Sequence, residues 1–273
     1  MKYCLRYYRE SKSIKRYDEI SIIYENQTIL DLEDFIKKYE GQRIIINITL
    51  NNFIEKRLWM DIDALYSKYP NIAVCFIIYN NHLLTEEEKG AIANLSAPYF
   101  FSTSIATWDQ LHYYLNLGAS DVYVTEDLGF DIEAVARIVH EHNVIVRVYP
   151  NVAQSSVKET PGLRKFFIRP EDVELYAPYI DVFEFWGEIS RQDILFHIYS
   201  NLKKWFGNLN ELILDLNYDI DSRSIFPIFA QFRLNCRKDC LRGAKKCHIC
   251  NAIDNLSKTL SENNYIFTTK KND

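Results

Sequence analysis

Long apolar runs are missing from this sequence: nowhere do about eighteen apolar residues follow one another, the length a membrane-spanning helix needs. The opening MKYCLRYYRESKS has no apolar stretch of signal-peptide length either. Both absences lead us to expect a cytoplasmic protein with no membrane partner. Glycine is scarce, at 8 in 273 residues, so no flexible linker is expected to separate parts of the chain. There is no Gly-rich dinucleotide fingerprint, no G-x-x-x-x-G-K-[ST] phosphate loop and no G-x-S-x-G elbow, and the enzyme classes that depend on them are set aside. Repeats and low-complexity segments are lacking too. The net charge of -5 provides no overall basic field to recruit nucleic acid.

What is present is a regular alternation of apolar strand-like runs with helical ones. ISIIYE, RIIINITL, IAVCFIIY, PYFFSTS, DVYVTED, VIVRVYPN, KFFI and DVFEFWGE read as eight strands. Their near-continuous apolar character suits parallel strands covered on both faces. Between them, LDLEDFIKKYEG and FDIEAVARIVHEHN carry apolar residues at helical spacing, Thr85 and Thr107 stand as helix N-caps, and Gly118 stands where a helix stops. KYCLRYY, ahead of these, is a further β-rich run. The expected fold is α/β, a (β/α)8 TIM-like barrel over about residues 18–190. A C-terminal helical extension over about 191–273 carries a cysteine loop, all within one domain.

That loop, C-RKD-C-LRGAKK-C-HI-C, places Cys236, Cys240, Cys247 and Cys250 together among Arg237, Lys238, Arg242, Lys245 and Lys246. A helix would splay these thiols and a strand would face them alternately to opposite sides, so a loop folded around a metal is the useful geometry. Four thiolates satisfy the corners of a 4Fe-4S cluster or, as the alternative, a tetrahedral zinc ion. The surrounding cations offset the charge of either centre and favour the thiolate form. A reducing cytoplasm speaks against disulfides. Cys4 and Cys75 fall within strand-like runs and read as small core residues.

In a parallel barrel, chemistry is done at the C-terminal ends of the strands. Reading each strand to its end singles out Glu126, Arg147, Asn151, Arg169 and Glu184 as rim candidates. Glu126 and Glu184 offer paired carboxylates for acid/base work, and Arg147 and Arg169 offer two-pronged grips on a carboxylate or phosphate. The same arginines can instead pair with the acids and hold the rim together. No Ser, Cys or Thr with an adjacent base stands out as a nucleophile, which speaks against proteolysis.

The runs STSIATWDQLHYYLNLGASDVYVTEDLGFDIEAVARIV, VRVYPNVAQ and KFFIRPEDVELYAPYIDVFEFWG, followed by the late cysteines, resemble the collagenase-like peptidase family U-32 over about residues 43–255. The resemblance implies a barrel and, in several members, a 4Fe-4S cluster held by four cysteines. Some of those members hydroxylate ubiquinone precursors or RNA bases without oxygen, with prephenate implicated as oxygen donor. Similar chains of this length occur in bacteriophage genomes, which would put this protein in a host's cytoplasm. Family hydroxylases spread their cluster ligands along the chain, whereas here all four lie between Cys236 and Cys250. The expected function is oxidative modification, by hydroxylation, of a nucleic-acid base or small aromatic molecule, with RNA or a small molecule as substrate. The alternative is a non-enzymatic binding or assembly protein with a structural zinc and a protein partner.

Overall fold

The computed structural model describes residues 1–25, 27–55, 58–78, 84–105, 107–124, 132–150, 168–185, 187–201, 203, 205–207, 209–212, 222–223, 255 and 259. The chain divides into two compact units. The first comprises Met1–Val124, Glu133–Val148 and Tyr179–Glu184, and the second Thr125–Ile132, Tyr149–Pro178 and Phe185–Asp273.

The first unit is built on one sheet. Its strands are β1 (Lys2–Arg6), β2 (Glu19–Ile23), β3 (Arg43–Thr49), β4 (Ile72–Ile77), β5 (Tyr99–Phe101), β6 (Ser104–Ile105), β7 (Asp121–Val124), β8 (Ile145–Val148) and β9 (Val182–Phe185). They lie in the order β5-β4-β3-β2-β1-β9-β8-β7-β6. β5 and β6 are halves of one stretch of chain: the first half pairs with β4 and the second with β7, both in parallel. Taken as one strand they make eight parallel strands in a nearly closed barrel. At the seam the Ser102 amide donates to the Phe76 carbonyl (2.9 Å) and the Ser120 amide to the Tyr99 carbonyl (2.7 Å).

Composition explains the strands. β3 and β4 carry Ile44, Ile45, Ile46, Ile48, Ile72, Val74 and Phe76, all buried, because helices cover the outside while the barrel fills the inside. Those helices are α1 (Ile29–Lys38), α2 (Leu50–Glu55), α3 (Trp59–Lys68), α4 (Glu86–Ala93), α5 (Trp108–Asn116) and α6 (Ile132–Glu141). Thr85 starts α4 with a reciprocal cap: its hydroxyl accepts from the Glu88 amide, and its own amide donates to the Glu88 carboxylate. Thr107 caps α5, and Gly118 follows that helix at a φ of 85°, which a glycine adopts without strain.

The barrel begins earlier than residue 18. β1, the KYCLR run, lies between β9 and β2, and the Lys2 amide donates to the Asp181 carbonyl (2.9 Å). It takes the place expected for KFFI, of which Ile168 is the one described residue. Ile168 is not in a strand: its amide donates to Pro150 (3.3 Å) and its carbonyl accepts from the Tyr199 hydroxyl (2.6 Å) within the second unit.

In the second unit, Pro170–Asp172 forms a single 3-10 turn leading into α7 (Val173–Tyr176), followed by α8 (Ile189–Ser200) and the short α9 (Leu209–Leu212). Buried Tyr199 stacks near Phe185, their ring centres 5.4 Å apart. Among the described residues no helix is long and apolar enough to cross a membrane. The four-cysteine loop and most of the extension around it lie outside the described residues.

Candidate functional site

Side chains two apart on a strand share a face, and the inner face of this barrel carries buried Glu19, Ser21, Asn47, Asp121, Arg147 and Glu184. Glu19, Arg43 and Asp121 are the first residues of β2, β3 and β7, and the side chain of Arg147, third in β8, reaches them. Its Nε donates to Asp121 (2.7 Å) and its Nη2 to Glu19. Arg43 approaches from the other side with both Nη atoms at 2.8 Å from the two Asp121 oxygens. Phe100 and Tyr123 present ring faces to the Arg147 guanidinium at 5.0 and 5.9 Å. Burial pushes the Asp121 carboxyl up, but Arg147 and Arg43 outweigh it and hold the group at about 2. Burial likewise works against the charge on Arg147, and Asp121 and Glu19 more than offset it, so its pKa is raised.

Further along the axis, the Tyr123 hydroxyl donates to Glu184 (2.5 Å), and Glu184 lies 3.8 Å from Arg147 Nη1. Nη1 is buried and has no hydrogen-bond partner. Cys4 and Cys75 are buried free thiols, 0% and 1% exposed. Burial, and then the charge of Glu184, pushes both thiols well above the usual thiol range, which makes them inert at neutral pH.

At the C-terminal ends of β1 to β4 the inner-face side chains are no longer fully buried. Arg6 follows Cys4 by two, Ile23 follows Glu19 by four, Thr49 follows Arg43 by six and Ile77 follows Cys75 by two, so all four share the inner face. Each is partly exposed, whereas Cys4, Ser21, Asn47 and Cys75 beneath them are buried. This mouth, one cation and one hydroxyl beside two aliphatic side chains, lies at the end of a parallel barrel where ligands are handled.

Of the rim residues expected from the sequence, Arg147 and Glu184 come together, but inside the barrel. Arg147 is 0% exposed and turned toward the strand starts, because Glu19 and Asp121 stand there to receive it, and a substrate-gripping role at the rim does not fit that placement. Arg169, in the second unit, is clamped by Asp172 through two hydrogen bonds of 2.6 Å, with Glu171 at 3.5 Å. Glu126, Asn151 and the ligand candidates Cys236, Cys240, Cys247 and Cys250 lie outside the described residues. Among the described residues no group of three or more His, Cys, Asp or Glu side chains is placed to hold a metal. Sequence reading passed over Glu19, Arg43, Asp121 and Arg6. Their signal is a charge at the first or last position of an otherwise apolar run.

No protein-family model matches this chain, and no curated protein is similar enough to count as a relative. Several solved structures share a distant likeness, two enzymes among them. One is a 4-hydroxy-2-oxoglutarate/2-dehydro-3-deoxyphosphogluconate aldolase, at 16% identity and a TM-score of 0.34 over 68% of this chain and 94% of that one. The other is an L-ribulose 3-epimerase, at 15% identity and a TM-score of 0.39 over 85% of this chain and 89% of that one. Likenesses this distant carry nothing about chemistry.

Proposed function

We propose that this protein is an iron-sulfur barrel enzyme similar to the U-32 peptidase-like family, which hydroxylates a nucleic-acid base or small aromatic molecule without using oxygen. The observation that carries this reading is the division of the 6 cysteines. Cys4 and Cys75 are sealed in the barrel interior, which leaves Cys236, Cys240, Cys247 and Cys250 as the thiols available for ligation. Four thiol donors in a short cationic loop suit a 4Fe-4S cluster in number and in charge. Such a cluster, when bound, supplies one-electron transfer or a Lewis-acidic iron for an oxygen donor. The barrel's own residues supply the rest: the mouth at Arg6, Ile23, Thr49 and Ile77 receives the substrate, and the ion pairs beneath it hold the strands that shape that mouth.

The compact spacing of the four cysteines equally suits zinc, and that favours the second reading, a binding or assembly protein with a structural ion. Iron, zinc and acid-labile sulfide analysis of protein purified without oxygen separates the two. Iron and sulfide near four each per chain, with a brown visible spectrum, is the expected result for the cluster. A colourless protein with about one zinc per chain, as a four-thiolate site holds, overturns the hydroxylase reading.

A further inference from the structure

We propose that residues 8–16 form a docking surface for single-stranded nucleic acid, on which Arg9, Lys12, Lys15 and Arg16 bind phosphates and the Tyr8 ring stacks on a base. This deepens the proposed function and rests on its reading of the substrate as a nucleic-acid base, not a small aromatic molecule. The four cations stand close together in a chain whose net charge is -5, and all four are exposed. Among the described residues none of them makes an ion pair, whereas Lys37, Lys68 and Lys89 are each matched to a glutamate, at 3.3, 3.6 and 2.7 Å. The acid among them, Glu10, is already taken: Lys38 donates to it at 2.6 Å and the Tyr39 hydroxyl at 2.9 Å. Asp18, just beyond, accepts from the Tyr3 amide (2.8 Å). Clustered cations left in this state attract a polyanion locally, within a screening length of about 10 Å, even though the whole chain is acidic.

The turn holds those charges outward. Lys12–Arg16 is a 3-10 turn, in which residues three apart eclipse one another, so Lys12 and Lys15 stand in line about 6 Å apart along its axis. Ile14 and Tyr17 are buried beneath, the Ser11 hydroxyl accepts from the Ser13 amide (3.3 Å), and Gln42 Nε2 donates to the carbonyls of Ile14 (2.8 Å) and Tyr17 (2.7 Å). A backbone fixed this way has little freedom to lose on binding. Tyr8 stands at the other end of the segment. The Tyr7 amide donates to the Ser21 carbonyl (2.7 Å) and its ring packs on Phe35, their centres 4.8 Å apart, which leaves Tyr8, 54% exposed, just beyond the C-terminal end of β1. That is the end of a parallel barrel where ligands are handled. Cations that follow a backbone and an aromatic ring that stacks on bases are the two parts of a single-strand surface. An anionic membrane would ask for aliphatic side chains to bury as well, and Ile14, the aliphatic residue of the turn, is 0% exposed.

Fluorescence polarisation of labelled oligouridine and oligothymidine with the full chain, at about 0.05 to 0.2 M salt, tests this. Log affinity should fall with log salt at a slope of about −2 to −3, since each cation on a single strand adds about −0.7. Tighter oligouridine indicates RNA, and tighter oligothymidine DNA. Changing Lys12→Gln, Lys15→Gln and Arg16→Gln together should weaken binding about a hundredfold at about 0.1 M salt and flatten the slope by about 2. Tyr8→Ala should weaken it about fivefold or more, and Tyr8→Phe should leave it unchanged. In the wild type the bound oligonucleotide should protect Lys12 and Lys15 from acetylation, as read by peptide mass, which needs no variant. No binding of either oligonucleotide, equal affinity in the triple variant, absence of protection, or binding to phosphatidylserine vesicles in place of oligonucleotides overturns the proposal. So does a Tyr8→Ala variant that binds like wild type, which would make the segment a patch for any polyanion. Metal content is read independently: a zinc protein that binds oligonucleotide through this turn would sink the hydroxylase reading and keep the docking surface, and an iron-sulfur protein that binds none would do the reverse.

Discussion

Arg147 is the largest fully buried side chain among the described residues, and a guanidinium in that position is tolerable only because carboxylates surround it. Removing one member of a buried ion network leaves the others uncompensated, which costs about 3–5 kcal/mol, far more than the net gain from having the network at all. Asp121 is the member whose titration reports this. It titrates at about 2 in the folded chain against an ordinary 3.8, so its ionised form is favoured by folding. The stability it contributes is present above pH 5 and is lost as pH falls through 4 toward 2, an amount of about 2 kcal/mol. Asp121→Asn removes that component and leaves Arg43 and Arg147 short of a counter-charge, so the variant should be less stable at pH 7. The gap between wild type and variant should then narrow by about 2 kcal/mol as the pH is lowered from 5 to 2.5. Denaturant unfolding curves at each pH measure it; parallel curves across that range would show that Asp121 is not held by the arginines.

At the level of elements, the most apolar runs were the most legible. RIIINITL and IAVCFIIY announce buried parallel strands because both of their faces meet side chains, and β3 and β4 lie where those runs stand. KYCLR was harder to place. Its outward residues Tyr3 and Leu5 alternate with Cys4 and Arg6 on the inner face, and a polar turn, Lys12–Arg16, separates it from β2, so sequence alone does not show that it closes the barrel beside β9. Inner-face charges escaped notice for a related reason: a charge at the start of a strand run reads as a loop residue until the register turns it inward, as it does for Glu19 and Asp121. Helix starts were legible because their chemistry is local. Thr85 and Glu88 exchange two hydrogen bonds within four residues, and no tertiary contact is needed to read them. Thr85→Ala should therefore destabilise the first unit by about 1 kcal/mol, and Thr85→Ser by less. Equal stability of wild type and Thr85→Ala in urea unfolding would show that the cap contributes nothing.

For the whole molecule, the two populations of cysteine give a prediction that joins the sequence to the structure. Cys4 and Cys75 lie inside the first unit with their thiols pushed up by burial, and a thiol in that state is neither nucleophilic nor accessible. The other four cysteines sit among lysines and arginines, which lower thiol pKa values and favour reaction whenever no metal occupies them. Native protein stripped of metal should therefore show four fast thiols with a disulfide reagent such as DTNB, and the remaining two of the 6 only in denaturant. Metal-loaded protein should show none of the fast four. Cys247→Ser should lose metal while leaving Cys4 and Cys75 as protected as before, because the hydrogen bonds that close the barrel at Ser102 and Ser120 belong to the first unit alone. Rapid reaction of all five cysteines left in the variant would mean that the barrel's integrity depends on the metal loop. Protection of only the buried pair would make the centre a chemical addition to a barrel that stands by itself.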